Sequence, residues 1–144
     1  MDSLFEEISI EKEYIKETLR LLEEALNRPE KSAIELSAIG SFLHHIYTGM
    51  ENILKRIIRF KNINIPDSTS SHKDLLSVAV GQKIISQELS NQLDTYRGFR
   101  HFFVHAYGVQ LETDKLNPLV KELPTVWNRF EQEIQTFLKR LKTS

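Results

Sequence analysis

Apolar residues recur along most of this chain at intervals of three and four, the period of a helix with one buried face. The alternation of two that marks a half-buried strand is almost absent. From about Ser3 to Asn27, Leu4, Ile8, Ile15, Leu19, Leu22 and Leu26 follow one another by three, four or seven among Glu and Lys. Arg28-Pro29 ends that segment, since proline lacks a backbone donor and disfavours helix in the residue before it. A second helix is predicted from about Ser32 to Lys61, where Leu36, Ile39, Leu43, Ile46, Met50, Ile53, Ile57 and Phe60 keep the rhythm long enough to make it the spine of the fold. The stretch NINIPDSTSS, 62–71, collects turn-forming residues and reads as a surface loop. A short helix from about Ser71 to Val80 follows, capped by Ser70 or Ser71 with Asp74 near its first turn. Gly81 interrupts it, and a fourth helix runs from about Gln82 toward His105. Thr113-Asp114 can cap a segment leading into Leu116 to Val120, and Pro124 opens or kinks a last helix carrying Val126, Phe130, Ile134, Phe137, Leu138 and Leu141. The five Gly and four Pro are expected to fall between these segments. The pattern thus predicts an all-α, up-and-down bundle of four to five main helices plus a short one.

Length changes this picture little: 144 residues make a single domain spanning 1–144. Charge is more informative. With 19 basic and 20 acidic side chains the net charge is -1, so no global field attracts nucleic acid or membrane, and any polyanion site must be local. Cysteine is absent, which excludes disulfides, a thiolate nucleophile and a zinc–thiolate centre, and fits a reducing compartment. The start, MDSLFEEISIEKEY, is acidic and amphipathic, and no later segment is apolar enough to span a bilayer; a cytoplasmic protein with no membrane partner is expected.

Candidate chemistry concentrates in RHFFVHAYG, Arg100 to Gly108. At about 100° per residue, Ile84, Ile85, Leu89, Leu93, Tyr96, Phe99, Phe102, Phe103 and Ala106 share one broad arc, while Asp94, Arg97, Arg100, His101, Val104 and His105 share the other. Any amphipathic helix has a polar side. This one, however, holds no Lys and no carboxylate between Thr95 and Tyr107, only two Arg and two His, a local positive patch suited to a phosphate. Arg100 and His105 lie about 140° apart and roughly 7.5 Å along the axis. Their heads converge only if the helix ends there, as Gly108 favours, or if a second chain contributes. Asp94, one turn before Arg97, is placed to fix an arginine.

Other candidates are weaker. His44 and His45 diverge by about 100° and read as one partly buried and one exposed residue rather than as ligands. His101-x-x-x-His105 has the spacing of helical zinc ligands, yet Phe102 stands where a zincin needs its glutamate and no third ligand is near. The glycines are scattered rather than gathered in a phosphate loop. No metal and no cofactor are therefore expected.

The run Arg100-x-x-x-x-His105-x-Tyr107 resembles the RxxxxHxY signature of the HEPN superfamily, and specifically of the HepT-like toxins of HepT/MntA (type VII) toxin–antitoxin modules. It closes the fourth helix of an all-helical chain of the family's usual length, after a long second helix containing GMENILKRI. The C-terminal LNPLVKELPTVWNRFEQEI resembles the family's last helix. This likeness implies a symmetric homodimer that brings two RxxxxH motifs together at a cleft, metal-independent endoribonuclease activity on RNA, and an MntA-like nucleotidyltransferase antitoxin that adds AMP to the motif tyrosine, here Tyr107.

RNA carries its own nucleophile, the 2′-hydroxyl, so cleavage needs a base, an acid and positive charge for the phosphorane. His105 is the candidate acid or base and Arg100 the phosphate fork, giving a 2′,3′-cyclic phosphate and a free 5′-hydroxyl. A two-fold axis would supply the second His105. His101, Arg97 and Glu51 are supporting or phosphate-binding candidates; Glu51, with Asn52, can add polarity to a cleft or simply be solvated. The alternative from another class is a catalytically silent helical module that binds a nucleotidyltransferase partner or a nucleotide.

Overall fold

The computed structural model describes the backbone of residues 1–65, 71–105 and 113–143, and the side chains of 1–65, 74–99 and 115–143. Every regular element among these residues is a helix: α1 (Asp2–Leu26), α2 (Ala33–Phe60), α3 (Ser71–Gly81), α4 (Gln87–His105) and α5 (Thr113–Thr143). Four long helices and a short one match the expected all-α bundle. No described helix is long and apolar enough to cross a membrane.

α2 is the spine. It packs against each of the other four helices, and the buried side chains Ile39, Leu43, Ile46, Tyr47, Met50, Ile53, Leu54, Ile57 and Ile58 spread over most of its circumference. α1, by contrast, buries the single stripe Leu4, Ile8, Ile15 and Leu22 and leaves Ile10 and Tyr14 exposed. The two helices run antiparallel, with Arg56 of α2 donating to Glu7 (2.9 Å) and Glu11 (3.3 Å) of α1. Phe60 departs from the expected stripe: as the last residue of α2 it is exposed.

Local chemistry sets the helix ends. Ser32 caps α2 by accepting the Ile34 N–H at 3.2 Å while its hydroxyl donates to the Glu35 carboxylate. That bond holds the Glu35 carboxyl below its ordinary value. After α2, Asn62 takes the left-handed conformation (φ 61) that asparagine tolerates. Residues 66–70 of the expected loop, the Ser70 or Ser71 cap and the Thr113-Asp114 cap lie outside the described residues or side chains.

Three expectations need correction. The fourth helix begins at Gln87, not Gln82. Gly81 is the last residue of α3; Gln82, Lys83 and Ile84 donate back to Val78, Val80 and Ala79, and Lys83 turns through φ 59. Ser86 then caps α4, its Oγ accepting the Leu89 N–H at 3.1 Å. Ile84 and Ile85 mimic helical periodicity because the turn itself is buried.

Of the two readings of Pro124, opening a helix or kinking one, the first is excluded, since α5 continues through both Pro118 and Pro124. A proline denies the carbonyl four residues earlier its helical donor. Here the unbroken buried stripe Leu116, Leu119, Leu123, Val126, Trp127, Phe130, Ile134 and Phe137 holds the element together, and the Tyr96 hydroxyl donates to the Leu119 carbonyl at 2.7 Å, next to the carbonyl that Pro124 vacates. Burial pushes the Tyr96 hydroxyl far above its usual titration range, with the Glu122 charge adding to the effect, so it remains a donor.

Nor do the glycines all separate helices, for Gly40 and Gly49 lie within α2 and Gly98 within α4. Gly49 has a steric reason. A Cβ there would sit 2.6 Å from Cγ1 of Ile15, so its absence lets α1 close on α2.

One end of the bundle fixes the remaining directions. Ser86 donates to Glu133 through its N–H (2.6 Å) and hydroxyl (2.8 Å), Arg140 donates to the Lys83 carbonyl (2.9 Å), and the Lys61 ammonium sits 5.5 Å from the Phe137 ring. The ends of α2 and α5 thus meet the start of α4, and α4 runs antiparallel to both.

Gly49→Ala should lower the midpoint of chemical denaturation despite alanine's better helix propensity of about 1 kcal/mol, because overpacking costs about 1–3 kcal/mol. A double-mutant cycle with Ile15→Ala tests the cause. Truncating Ile15 should cost less in the Gly49→Ala background than in the wild type, and equal costs would remove the steric explanation.

Candidate functional site

A polar line interrupts the apolar surface of α2. His44, Tyr47 and Glu51 are spaced i, i+3, i+7 and so share one face. Tyr47 and Glu51 are each only 1% exposed. Of the two fates open to Glu51, the structure chooses burial over solvation.

Opposite this line stands Arg97 of α4. Its Nε donates to Asp94 Oδ1 at 2.6 Å, one turn earlier on the same helix, the pairing anticipated from their spacing. The hydrogen bond to Asp94 raises the pKa of the guanidinium. Partial burial opposes the shift, and the Asp94 charge and the fields of Tyr47 and Glu51 reinforce it. Glu51 and Tyr47 therefore act on Arg97 from across the helix interface. Two of the supporting candidates, Glu51 and Arg97, are brought together. The arginine is held charged and kept in one orientation by a carboxylate on its own helix.

The apolar arc of α4 lies where rotation predicts, with Leu89, Leu93, Tyr96 and Phe99 all in the core. The backbone of Arg100, His101, Val104 and His105 continues α4 to its last turn; their side chains, with those of Phe102 and Phe103, lie outside the described set. Ala106, Tyr107 and Gly108 are outside the described residues. The expected convergence of Arg100 with His105 therefore rests on the sequence.

Sequence reasoning passed over Tyr47, which looks like one more core aromatic. The available signal was its i,i+4 relation to Glu51 on a helix whose other buried positions are apolar. His44 is half-buried and His45 exposed, as their divergence implied, with ring centroids 5.4 Å apart. Among the described residues no group of three or more His, Asp or Glu is arranged to hold a metal ion.

These placements separate the two carboxylates. Asp94→Ala removes a half-exposed pair and should change unfolding free energy by less than about 1 kcal/mol. Glu51→Ala empties an enclosed position and removes the buried carboxyl whose field reaches Arg97, which should cost about 3 kcal/mol. Urea denaturation of the two variants measures the contrast, and equal small effects would mean that Glu51 is not held in a buried network.

The sequence matches the HepT-like protein family over residues 38–141, from the first half of α2 through nearly all of α5, including the polar line on α2 and the whole RxxxxHxY run. No curated protein matches it. Among solved structures, the chain is similar to YutE from Bacillus subtilis, described as a cytosolic protein of unknown function, with a TM-score of 0.77 at 18% identity over 94% of this chain and 90% of that one. At that identity the likeness speaks for the fold, and the family match gives the rest: this chain belongs to the HepT-like family of the HEPN superfamily.

Proposed function

We propose that this protein is the ribonuclease toxin of a toxin–antitoxin module, cutting RNA in the cytoplasm without metal at a cleft between two copies of the chain. The observation that carries this reading is the family match itself. It covers residues 38–141, a range that contains the buried Glu51 and the run Arg100, His105 and Tyr107, whose spacing resembles the family signature.

The chemistry follows from these residue types. Arg100 grips a nonbridging phosphate oxygen pair through its two-pronged donor face and offsets the charge that builds on the phosphorane. One His105 takes the 2′-hydroxyl proton as the oxygen attacks phosphorus. The other, across the two-fold axis, protonates the departing 5′-oxygen, so the products are a 2′,3′-cyclic phosphate and a 5′-hydroxyl. Arg97 and His101, on the same side of α4, extend the positive lining. Asp94 holds Arg97 in place and Glu51 adds its field from α2, rather than either meeting the substrate.

Control falls to a partner nucleotidyltransferase of the MntA kind. AMP attached to Tyr107, two residues beyond His105, would bring a phosphate and a nucleoside to the place where the RNA phosphate binds, and like charge and bulk exclude the substrate.

Protein purified without a partner should cleave RNA in the presence of chelator, and His105→Ala or Arg100→Ala should lose about 10²–10⁴-fold in rate. End-group analysis should find cyclic phosphate. Absence of cleavage by the wild type, or equal cleavage by wild type and His105→Ala, would leave the chain as a binding module. A second check concerns control. Tyr107→Phe should still cut RNA yet resist inactivation by the cognate nucleotidyltransferase with ATP, followed by activity and intact mass. Its inactivation with a mass gain of AMP would move the modification to another residue.

A further inference from the structure

We propose that the outer face of α1 and α2 docks on the same face of a second copy of this chain, so that α1 of each protomer lies along α2 of the other. This contact is separate from the cleft and does not rest on the ribonuclease reading.

α1 carries two apolar stripes. Leu4, Ile8, Ile15 and Leu22 are buried. Ile10, Tyr14, Leu21 and Ala25 recur at four, seven and four residues, the spacing of a helix–helix seam, on a face rotated from the first by about 110°. Ile10 is 50% and Tyr14 67% exposed, and α2 adds Ile34, 80% exposed. The two helices share a groove that Leu21 and Ala25 line with Ile34, Ala38 and Phe42 at one end. Tyr14 and Thr18 line it with His45 and Asn52 further along, over Gly49. Scattered exposed apolar residues are ordinary, whereas a contiguous row of them marks an interaction surface.

This face is turned away from the rest of the bundle. Lys16 reaches Glu131 of α5 at 3.9 Å from the opposite flank of α1. His45 and Asn52 point about 100–160° away from Tyr47 and Glu51, whose fields act on Arg97 of α4.

Charge selects the occupant. α1 bears eight carboxylates against three cations, and Glu6, Glu13, Glu17 and Glu24 flank its exposed stripe. From Ser37 to Arg59, α2 has no carboxylate except the buried Glu51 and carries Lys55, Arg56 and Arg59. One protomer thus presents an acidic and a basic helix side by side. A two-fold axis parallel to the helices sets each α1 over the other copy's α2 at an unchanged level, whereas an axis across them brings acid to acid. Arg56 donates to Glu7 and Glu11 within the chain, so on the favoured axis Glu6 of one copy comes to the level of Lys55 and Arg59 of the other. Arg20 answers Glu17 and Glu24, while Glu6, Lys55 and Arg59 have no ion pair among the described residues.

Size agrees. Ser3 to Arg28 spans about 38 Å and two helices about 20 Å, so the face offers about 750 Å² per copy, against roughly 800 Å² per partner in a specific interface. Because the cleft lies on the α4 side of α2, both contacts can form at once and join dimers into larger closed assemblies.

The test is the mass of the full-length protein by sedimentation equilibrium over a range of concentrations. The wild type should reach at least twice the mass of Ile10→Glu/Tyr14→Glu, whose two positions are half exposed or more and so spare the fold. Glu6→Arg and Arg59→Glu should each weaken association about tenfold, and combining them should recover it, a reciprocity that plain destabilisation does not give. Equal masses for the wild type and Ile10→Glu/Tyr14→Glu overturn the proposal. So does a wild type that grows only when the nucleotidyltransferase is added, which would give the face to that protein. The cleft is read separately: a variant that falls to a dimer and still cuts RNA keeps both contacts, and one that falls to a monomer keeps this contact and removes the cleft dimer. Should Ile10→Glu/Tyr14→Glu unfold by circular dichroism, the charge exchange alone decides.

Discussion

The enclosure of α2 by four other helices constrains everything else in this molecule. A helix covered on nearly all sides can carry polar groups only where a neighbour answers them, and Arg97 of α4 lies within the field of the buried Glu51 and Tyr47. Close packing also restricts size. At Gly49 even a methyl group would press on Ile15, so the approach of α1 and the burial behind α2 depend on the smallest residue. α1 thereby seals one side of the spine while the other side is left to α4 and the site.

The second constraint is the direction and reach of α4. It is anchored at its start by Ser86, which caps the helix and is itself held by Glu133 of α5. Midway, Tyr96 ties it to the proline-containing part of α5 through the Leu119 carbonyl. Helix positions beyond Tyr96 inherit their placement from these two fixed points, since a helix rises about 1.5 Å per residue. Arg97 is oriented by Asp94 on one side and feels Glu51 on the other. A helix fixed at two points needs few further restraints, because its later side chains start from a backbone that cannot drift.

Much of this was legible in the chain. The three-four spacing marked α1, α2 and most of α4 and α5, a serine cap with Asp74 pointed to α3, and the Asp94–Arg97 pair followed from one turn of separation. The segregation of Arg and His onto one side of α4, with the RxxxxHxY spacing, led to the family. What misled was periodicity extending beyond its element. Ile84 and Ile85 continued the α4 pattern although they lie in a buried turn. Pro124 suggested a boundary that the continuous apolar stripe of α5 overrides. Phe60 had the right phase but stands exposed at the end of α2.

Sequence by itself determined the helices, their buried faces and the chemistry available at the end of α4, because those depend on residues close together along the chain. The tertiary structure decided the fate of Glu51. Its residue type suits water or a buried network equally, and the choice is made by the helices packed around α2, among them the segment that carries Arg97, forty-six positions away. The same holds for Tyr47, a core aromatic by pattern that stands beside an arginine, and for His44, whose neighbour in sequence faces another groove. Which faces of two helices meet is set by the packing of the whole bundle, and no local spacing encodes it.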